Sequence, residues 1–238
     1  MLKVGVKLSV PAGRIGDYLA EVTALEAAGA DSIWLDDVSV PSGAGDDAAL
    51  PIEPWIVYGA MAAVTHRIRL GAMVGSASLW PATLLASSVK ALSKLSGGRV
   101  VVGVQAGDEF QRYVDLLVPG SADSPAPTIL VACDAYFKAE RYALLADGVI
   151  LIGADELRVA GVSGKLREFR AAGAHNRDFE LWAAVSMPAD RAAWATMVAA
   201  HEGAGATGVV VSWDPRLIEL LRNAGEPDDR KDLLIATG

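Results

Sequence analysis

Short apolar runs alternate with amphipathic stretches along most of this chain. The run Val100–Val104 is almost continuous in valine, which is typical of a parallel strand buried on both faces. Before it, residues 82–95 place Leu85, Val89 and Leu92 on one side of a predicted helix. Strand, helix and strand at this spacing indicate a parallel crossover unit.

The same alternation recurs eight times. Predicted strands are 3–8, 32–35, 68–74, 99–104, 128–132, 148–152, 179–185 and 208–212, and predicted helices are 17–28, 54–64, 82–95, 110–117, 136–145, 155–172, 189–202 and 215–223. No linker divides the repeats, so we expect residues 1–238 to form one domain. A long irregular stretch from Asp36 to Glu53 follows the second strand, and loops of this length inside a compact domain are usually functional or disordered.

The two ends of the predicted strands differ in their residues. Glycine-containing turns of the kind that end helices precede several strands, at 28–31, 145–148 and 203–206. The opposite strand ends carry less stereotyped side chains, namely Asp36, Gln105, Asp134, Asp155 and Trp213. We therefore look for chemistry at this second set of ends.

Composition limits the classes of partner. The 238 residues carry 21 basic and 29 acidic side chains, a net charge of −8, which argues against nonspecific binding to nucleic acid or anionic membranes. The single cysteine, Cys133, excludes an internal disulfide and a cysteine-cluster zinc site. His66, His175 and His201 are isolated, with no second ligand at metal spacing, so we expect no metal.

The chain shows neither a secretory leader nor a membrane span by sequence. Met1–Val6 runs straight into a strand, and no apolar run reaches the roughly 20 residues that cross a bilayer. We expect a cytoplasmic protein. The hydrophobic share of 52% favours a buried subunit interface, so we also expect a homodimer.

Four pieces of sequence, in order, resemble the luciferase-like monooxygenase superfamily: residues 65–71 (THRIRLG), 80–82 (WPA), 95–99 (LSGGR) and 103–107 (GVQAG). The resemblance covers nearly the whole chain. It implies a (β/α)8 barrel that binds FMN or the deazaflavin coenzyme F420. It also implies an oxidoreductase or monooxygenase that acts on a small molecule by hydride transfer or with dioxygen.

The resemblance implies a catalytic position after the second strand. Many members carry an acid–His pair there, and this chain reads Asp36-Asp37. Since a desolvated carboxylate at a barrel mouth can act as a general acid or base, we expect Asp37, with Asp36, to be catalytic. The alternative is a loop acid that caps the following turn.

The third and fourth strand ends are the implied ring site. Met73, Val74 and Gly75 match a backbone bulge that supports the cofactor ring in related deazaflavin enzymes, sometimes through a non-prolyl cis bond; an ordinary strand end is the alternative. Gln105, Ala106 and Gly107 follow strand four, with Gln105 where members usually carry glycine; here the alternative is a simple turn. Trp80 and Trp213 are the expected substrate contacts, although Trp80 equally fits a cover over the core.

Of the parts of the implied cofactor site, the phosphate-binding part shares the fewest residues with the family. Relatives carry a much longer segment than residues 108–127, and Cys133-Asp134-Ala135 lacks their usual Gly-Pro. Arg112 and Lys138, with Arg141, are the nearest basic candidates, or else solvated surface charges. The shortened region and the missing His leave a second interpretation open, a degenerate barrel that binds a flavin or another ligand, or no cofactor, without catalysis.

Overall fold

Eight parallel strands close into a barrel. The computed structural model describes residues 1–11, 14–36, 53–74, 81–108, 110–118, 125–134, 141–142, 144–172 and 179–222. Each strand pairs with its neighbours in sequence, and the eighth pairs with the first. The strands are β1 (Lys3–Leu8), β2 (Ser32–Asp36), β3 (Arg69–Val74), β4 (Val100–Gln105), β5 (Thr128–Cys133), β6 (Gly148–Ile152), β7 (Glu180–Val185) and β8 (Gly208–Ser212). The (β/α)8 barrel expected from the sequence is confirmed.

Helices surround the strands. Those of the described residues are α1 (Ile15–Ala28), α2 (Pro54–Val64), α3 (Ala82–Ser96), α4 (Phe110–Leu117), α5 (Glu156–Ala172), α6 (Arg191–Gly203) and α7 (Leu217–Arg222). Their bounds agree with the predicted ones within two residues. Of the helix predicted at 136–145, only Arg141 and Tyr142 are described as helical. Because residues 223–238 also lie outside the described part, the single domain over residues 1–238 stays a prediction.

No helix among the described residues has both the length and the apolar character needed to cross a membrane.

The stereotyped turns lie at the amino ends of the strands and satisfy strand backbone groups there. The Asp31 carboxylate accepts from the Val4 N–H at 2.7 Å, and the Asp147 carboxylate accepts from the Ile129 N–H at 2.9 Å. Each acid precedes one strand and caps the strand beside it. Because an unpaired buried N–H is costly, this repeated contact explains why an acid recurs in these turns.

A second contact at the amino end joins α1 to the start of β3. The buried carboxylate of Glu26 accepts from the backbone N–H groups of His66, Arg67 and Ile68 at 2.6 to 2.9 Å. Burial by itself raises the pKa of Glu26, but these bonds and the charge of Arg99 hold it below its ordinary value. The turn is therefore fixed by a charged acceptor.

Arg99 holds the other side of the same turn. Its guanidinium donates to the Ile68 and Thr65 carbonyl oxygens at 2.7 and 3.0 Å, and to the Ser96 carbonyl oxygen at 2.8 Å. Gly97, in the left-handed conformation with φ 68°, ends α3 just before it. The sequence pieces at 65–71 and 95–99 thus meet at the amino end of the barrel and build its scaffold.

Two tryptophans fill the barrel interior. Trp34 of β2 and Trp182 of β7 are buried, and their rings meet edge to face with centroids 6.2 Å apart. Room for them comes from glycines on neighbouring strands. A Cβ at Gly71 would overlap the Trp34 ring, and one at Gly208 would lie 2.5 Å from the Trp182 ring. The middle of the barrel is therefore a packed core.

A charged cluster lies below the tryptophans at the amino end. The Glu180 carboxylate accepts two contacts from Arg69 Nη1, at 2.8 and 2.9 Å, one from Trp182 Nε1 at 2.8 Å and one from Lys3 Nζ at 3.1 Å. Burial raises the pKa of Glu180, but Arg69, Trp182 and Lys3 together hold it below its ordinary value. Its half-buried carboxylate is thus paired and ionised.

Candidate functional site

The carboxyl ends of the strands form an accessible rim. Gln105 of β4, Ile152 of β6 and Ser212 of β8 are the last residues of their strands, and all three side chains are exposed. Ile152 keeps 44% of its surface in contact with solvent although it is apolar. In barrels of this kind ligands bind at the carboxyl ends of the strands. Among the described residues, the rim is therefore not plugged by the chain's own side chains.

A cavity of about 480 Å³ opens over one half of this rim. It spans four adjacent strand ends, those of β6, β7, β8 and β1, which the strand pairing places side by side. Its described wall consists of Lys7, Ile152, Gly153, Ala154, Asp155, Ala184, Val185, Ser186, His201, Val210, Val211 and Ser212. This volume lies within the range of small-molecule sites, which are mostly apolar with a few polar groups.

His201, on α6, is the buried polar group of this wall. The side chain is 3% exposed, and its Nδ1 lies 2.9 Å from the Met197 carbonyl oxygen of the same helix. Its Nε2 is buried and finds no hydrogen-bond partner among the described residues. An unpaired buried nitrogen is uncommon and calls for an explanation.

The predicted acids lie at or beyond the end of β2. Asp36 is the last residue of the strand and pairs with Met73 of β3, so its backbone is at the rim. The Asp36 side chain and the whole of Asp37 lie outside what the structure describes. Their catalytic roles stay predictions.

The strand-three residues differ in where their side chains point. Met73 is half-buried inside the barrel, where its sulfur would lie 2.6 Å from a Cβ placed on Gly103. Val74 is 4% exposed and packs in the outer core between strands and helices. Gly75 lies outside the described residues, and the peptide bonds described within β3 are trans. The ring-supporting role of these residues stays a prediction.

The residues after strand four stay together at the rim. The Gln105 side chain is exposed, Ala106 is half-buried, and the Ala106 N–H donates to the Ala132 carbonyl oxygen at 2.9 Å. The Gly107 carbonyl oxygen accepts from the Tyr142 hydroxyl at 2.9 Å. This segment is a hydrogen-bonded turn with an accessible amide above it, so the geometry permits both the turn interpretation and the cofactor interpretation.

Of the phosphate candidates Arg112 and Lys138 and the two predicted substrate tryptophans, the structure describes Arg112 and Trp213. Arg112 is exposed on α4, whereas Lys138 and Trp80 lie outside the described residues. Trp213 is half-buried in the outer layer beside α1, where it bonds to Glu21. Burial raises the pKa of Glu21, and the bond from Trp213 opposes that rise. Trp213 thus borders the rim from outside the barrel, and its predicted contact with substrate stays untested.

Sequence reasoning missed the cavity residues Lys7, His201 and Ser212. The signal for Lys7 was present, because Lys3, Gly5 and Lys7 alternate with buried valines and so share the inner face of β1. His201 gave no such signal, since a single histidine on a helix does not indicate which groove it faces.

The amino-terminal part of the chain matches a known family. Residues 2–114 match the profile of the luciferase-like monooxygenases. Over this segment the chain is similar to that family. The resemblance stated from the sequence is thereby confirmed over the segment that builds α1 to α3 and the first four strands.

Two curated relatives match part of the chain. An uncharacterized protein of Mycobacterium tuberculosis is 41% identical over 80 residues, covering 31% of this chain and 28% of the relative. The F420-dependent glucose-6-phosphate dehydrogenase of Beutenbergia cavernae is 35% identical over 114 residues, covering 46% of this chain and 32% of the relative. The matched part of the chain thus spans less than a third of each relative's length.

Solved structures share the fold over nearly the whole chain. The coenzyme F420-dependent tetrahydromethanopterin reductase of Methanopyrus kandleri superposes with a TM-score of 0.69 at 13% identity, covering 94% of this chain and 97% of that one. An F420-dependent secondary alcohol dehydrogenase, in complex with an F420–acetone adduct, gives 0.71 at 14% identity, covering 93% and 96%. At such identities the likeness concerns the (β/α)8 barrel fold alone.

Proposed function

We propose that this chain is an oxidoreductase that uses a flavin or deazaflavin cofactor to act on a small molecule. The observation that carries the proposal is the open carboxyl-end rim, with its cavity of about 480 Å³, above a filled barrel interior. The match of residues 2–114 to the luciferase-like monooxygenases supports the cofactor class. The fold by itself does not fix an activity, because sites of many kinds occur on this barrel.

Coenzyme F420 is our first choice of cofactor, and FMN is the second. Support comes from the F420 named for one curated relative and for both solved structures. The ends of β4 and β5 leave room for a flat ring. Gln105 and Gly107 are exposed there, and the neighbouring residue of β5, Ala132, has a small side chain. We propose that Met73, Val74 and Gly75 support the ring and that Gln105, Ala106 and Gly107 line its edge. Arg112 and Lys138 are the proposed phosphate contacts.

The chain's own residues would position and polarise the substrate. When bound, the cofactor supplies the redox step by accepting or giving a hydride. We propose that Asp37, with Asp36, takes or returns the accompanying proton, because Asp36 pairs with Met73 at the end of β2 and Asp37 comes directly after it. Trp80 and Trp213 are the proposed apolar contacts of the substrate.

Titration of the purified protein with F420, and separately with FMN, tests the cofactor. We expect at least one of them to bind with a micromolar or lower dissociation constant, measured by the change in cofactor fluorescence. The absence of binding of both removes the oxidoreductase proposal.

The catalytic acid is tested by Asp37→Ala with Glu202→Ala as a matched control. Glu202 is a half-exposed acid at the opposite end of the barrel, paired with the amino terminus at 3.0 Å. We expect at least a tenfold loss of turnover in Asp37→Ala alone, about 1.4 kcal/mol of barrier. Unchanged kinetics would show that Asp37 has no catalytic role.

One observation favours a second function, a barrel that binds a flavin or another ligand without catalysis. Between β4 and β5 the described chain places a single eight-residue helix, α4, where the family resemblance implies a longer segment. Cofactor binding without oxidation of the reduced cofactor by any candidate substrate would select this alternative.

We also propose a homodimer, in keeping with the hydrophobic share of the chain. Ile56 and Leu95 are large apolar side chains on α2 and α3 with 66% and 69% exposure, the type of surface that dimers cover. Light scattering during size-exclusion chromatography measures the mass directly. A monomer mass would exclude this proposal.

A further inference from the structure

A buried tyrosine outside the barrel holds the segment that follows β4. Tyr142 is 7% exposed, and its hydroxyl donates to the Gly107 carbonyl oxygen at 2.9 Å. The same oxygen accepts from the Phe110 N–H at 3.2 Å, at the start of α4. Gly107 itself is exposed at the rim. An accessible segment is therefore fixed from its buried side by a side chain that lies beneath the surface.

Packing against α4 holds the Tyr142 ring in place. The ring centroids of Tyr142 and Phe110 lie 4.6 Å apart, with the ring planes tilted by 48°, and Phe110 is fully buried. Aromatic pairs at this separation attract each other beyond the area that they bury. The Tyr142 hydroxyl is thus presented to Gly107 in a fixed position.

Hydrogen bonds, not side-chain packing, determine the placement of Gly107. The Ala106 N–H before it donates to the Ala132 carbonyl oxygen of β5 at 2.9 Å, which continues the strand pairing by one residue. Gly107 has no side chain to pack, and a Cβ built there would meet no atom within 4 Å. Because glycine has wide backbone freedom, its carbonyl group needs the bonds from Tyr142 and Phe110 to keep one direction.

The bond from Tyr142 also determines where the next N–H group points. In a planar trans peptide the carbonyl oxygen and the amide hydrogen point in opposite directions. The described peptide bonds are trans, and the Gly107 carbonyl oxygen is turned toward the buried hydroxyl. The Asp108 N–H therefore points away from Tyr142, toward the exposed side of the segment.

We infer that Tyr142 is a positioning residue of the cofactor site. Its hydroxyl orients the peptide between Gly107 and Asp108 so that the N–H faces the edge of the bound ring, while Tyr142 itself does not touch the cofactor. This inference rests on the proposed function, because it needs the ring to lie along Gln105, Ala106 and Gly107.

Tyr142→Phe tests the inference, because it keeps the ring against Phe110 and removes only the hydroxyl. The matched control is Thr207→Val, which removes a hydroxyl that accepts from the Leu181 N–H at 3.0 Å at the amino end of the barrel. Each protein is titrated with F420 and with FMN, and cofactor fluorescence is measured. We expect the dissociation constant to rise about three- to tenfold in Tyr142→Phe, as for one lost hydrogen bond, and to stay within about twofold in Thr207→Val.

Amide hydrogen exchange of the cofactor-free proteins gives a second readout. In Tyr142→Phe the segment 105–108 should exchange faster than in wild type, and in Thr207→Val it should not change. Wild-type affinity in Tyr142→Phe, an equal loss of affinity in both variants, or unchanged exchange in the segment overturns the inference while the proposed function stands. A wild-type protein that binds neither cofactor overturns both, so the two failures are distinguishable.

Discussion

The two ends of this barrel are built on opposite principles. At the amino end, Glu180 is bonded to Arg69, Lys3 and Trp182, and Glu26 accepts from three consecutive backbone N–H groups. At the carboxyl end, the strand-end side chains of Gln105, Ile152 and Ser212 remain exposed. One end satisfies its polar groups internally, and the other presents them outward. We expect substitutions at the first to change stability and substitutions at the second to change binding.

The largest loss of stability is expected for Trp182→Ala. It removes a ring that fills the barrel middle and also the indole donor to Glu180. Large-to-small changes of this type cost about 3–5 kcal/mol, and the lost bond to a buried charge adds to that. Urea unfolding measures the change against Leu157→Ala, a residue with 78% exposure. A loss below about 1 kcal/mol would contradict the packed interior.

The second largest loss of stability is expected for Glu180→Gln, and the size of this loss should depend on pH. Removing one partner of this half-buried charged cluster costs about 1.5–3 kcal/mol at pH 7. Because the folded-state pKa of Glu180 lies below the ordinary 4.5, its stabilisation is complete above that value and is lost as pH falls through the folded-state pKa. The difference in unfolding free energy between wild type and variant should therefore narrow below about pH 4. A difference that stays constant into acid would refute the ionised cluster.

A matched pair of glycine substitutions should give opposite signs. Gly71→Ala forces a methyl group into the Trp34 ring and should destabilise by about 1–3 kcal/mol. Gly161→Ala, on α5, meets no atom within 4 Å and should stabilise by about 0.4–1 kcal/mol. Thermal unfolding of both variants is the measurement. Equal effects would mean that Trp34 does not rest against β3 as described.

The smallest change in stability is expected at the rim. Gln105→Ala should leave the unfolding free energy within about 0.5 kcal/mol, because the side chain is exposed. If its amide contacts the cofactor, the variant should lose about 0.5–1.5 kcal/mol of cofactor binding, or roughly two- to tenfold in affinity. Calorimetry of folding and of cofactor binding separates the two quantities. A large loss of stability would place Gln105 in the scaffold.

The strands and the amino end of the barrel were the parts of the molecule that the sequence predicted best. The periodic apolar runs predicted all eight strands, and two of the pieces that identify the family, residues 65–71 and 95–99, build the turn held by Arg99 and Glu26. Those contacts join consecutive β/α units, with Glu26 and Arg67 41 residues apart and Arg99 and Ile68 31 residues apart, so the repeating pattern along the chain records them.

The candidate site was less predictable for a physical reason. Its cavity depends on which strand ends close around the barrel, and the pairing of β8 with β1 brings Ser212 next to Lys7 across more than two hundred residues. The orientation of His201 depends on how α6 packs, which a single residue does not reveal. Asp37 and Trp80, predicted from the family resemblance, lie outside the described residues and remain to be tested.

Hydrogen–deuterium exchange with and without the bound cofactor tests the contrast between the two ends most directly. We expect added F420 or FMN to slow exchange in segments at the carboxyl ends of the strands, around residues 104–108 above all. Exchange near Lys3, Arg69 and Glu180 should stay the same. Protection confined to those amino-end segments, with the rim unaffected, would contradict the assignment of the rim as the functional end.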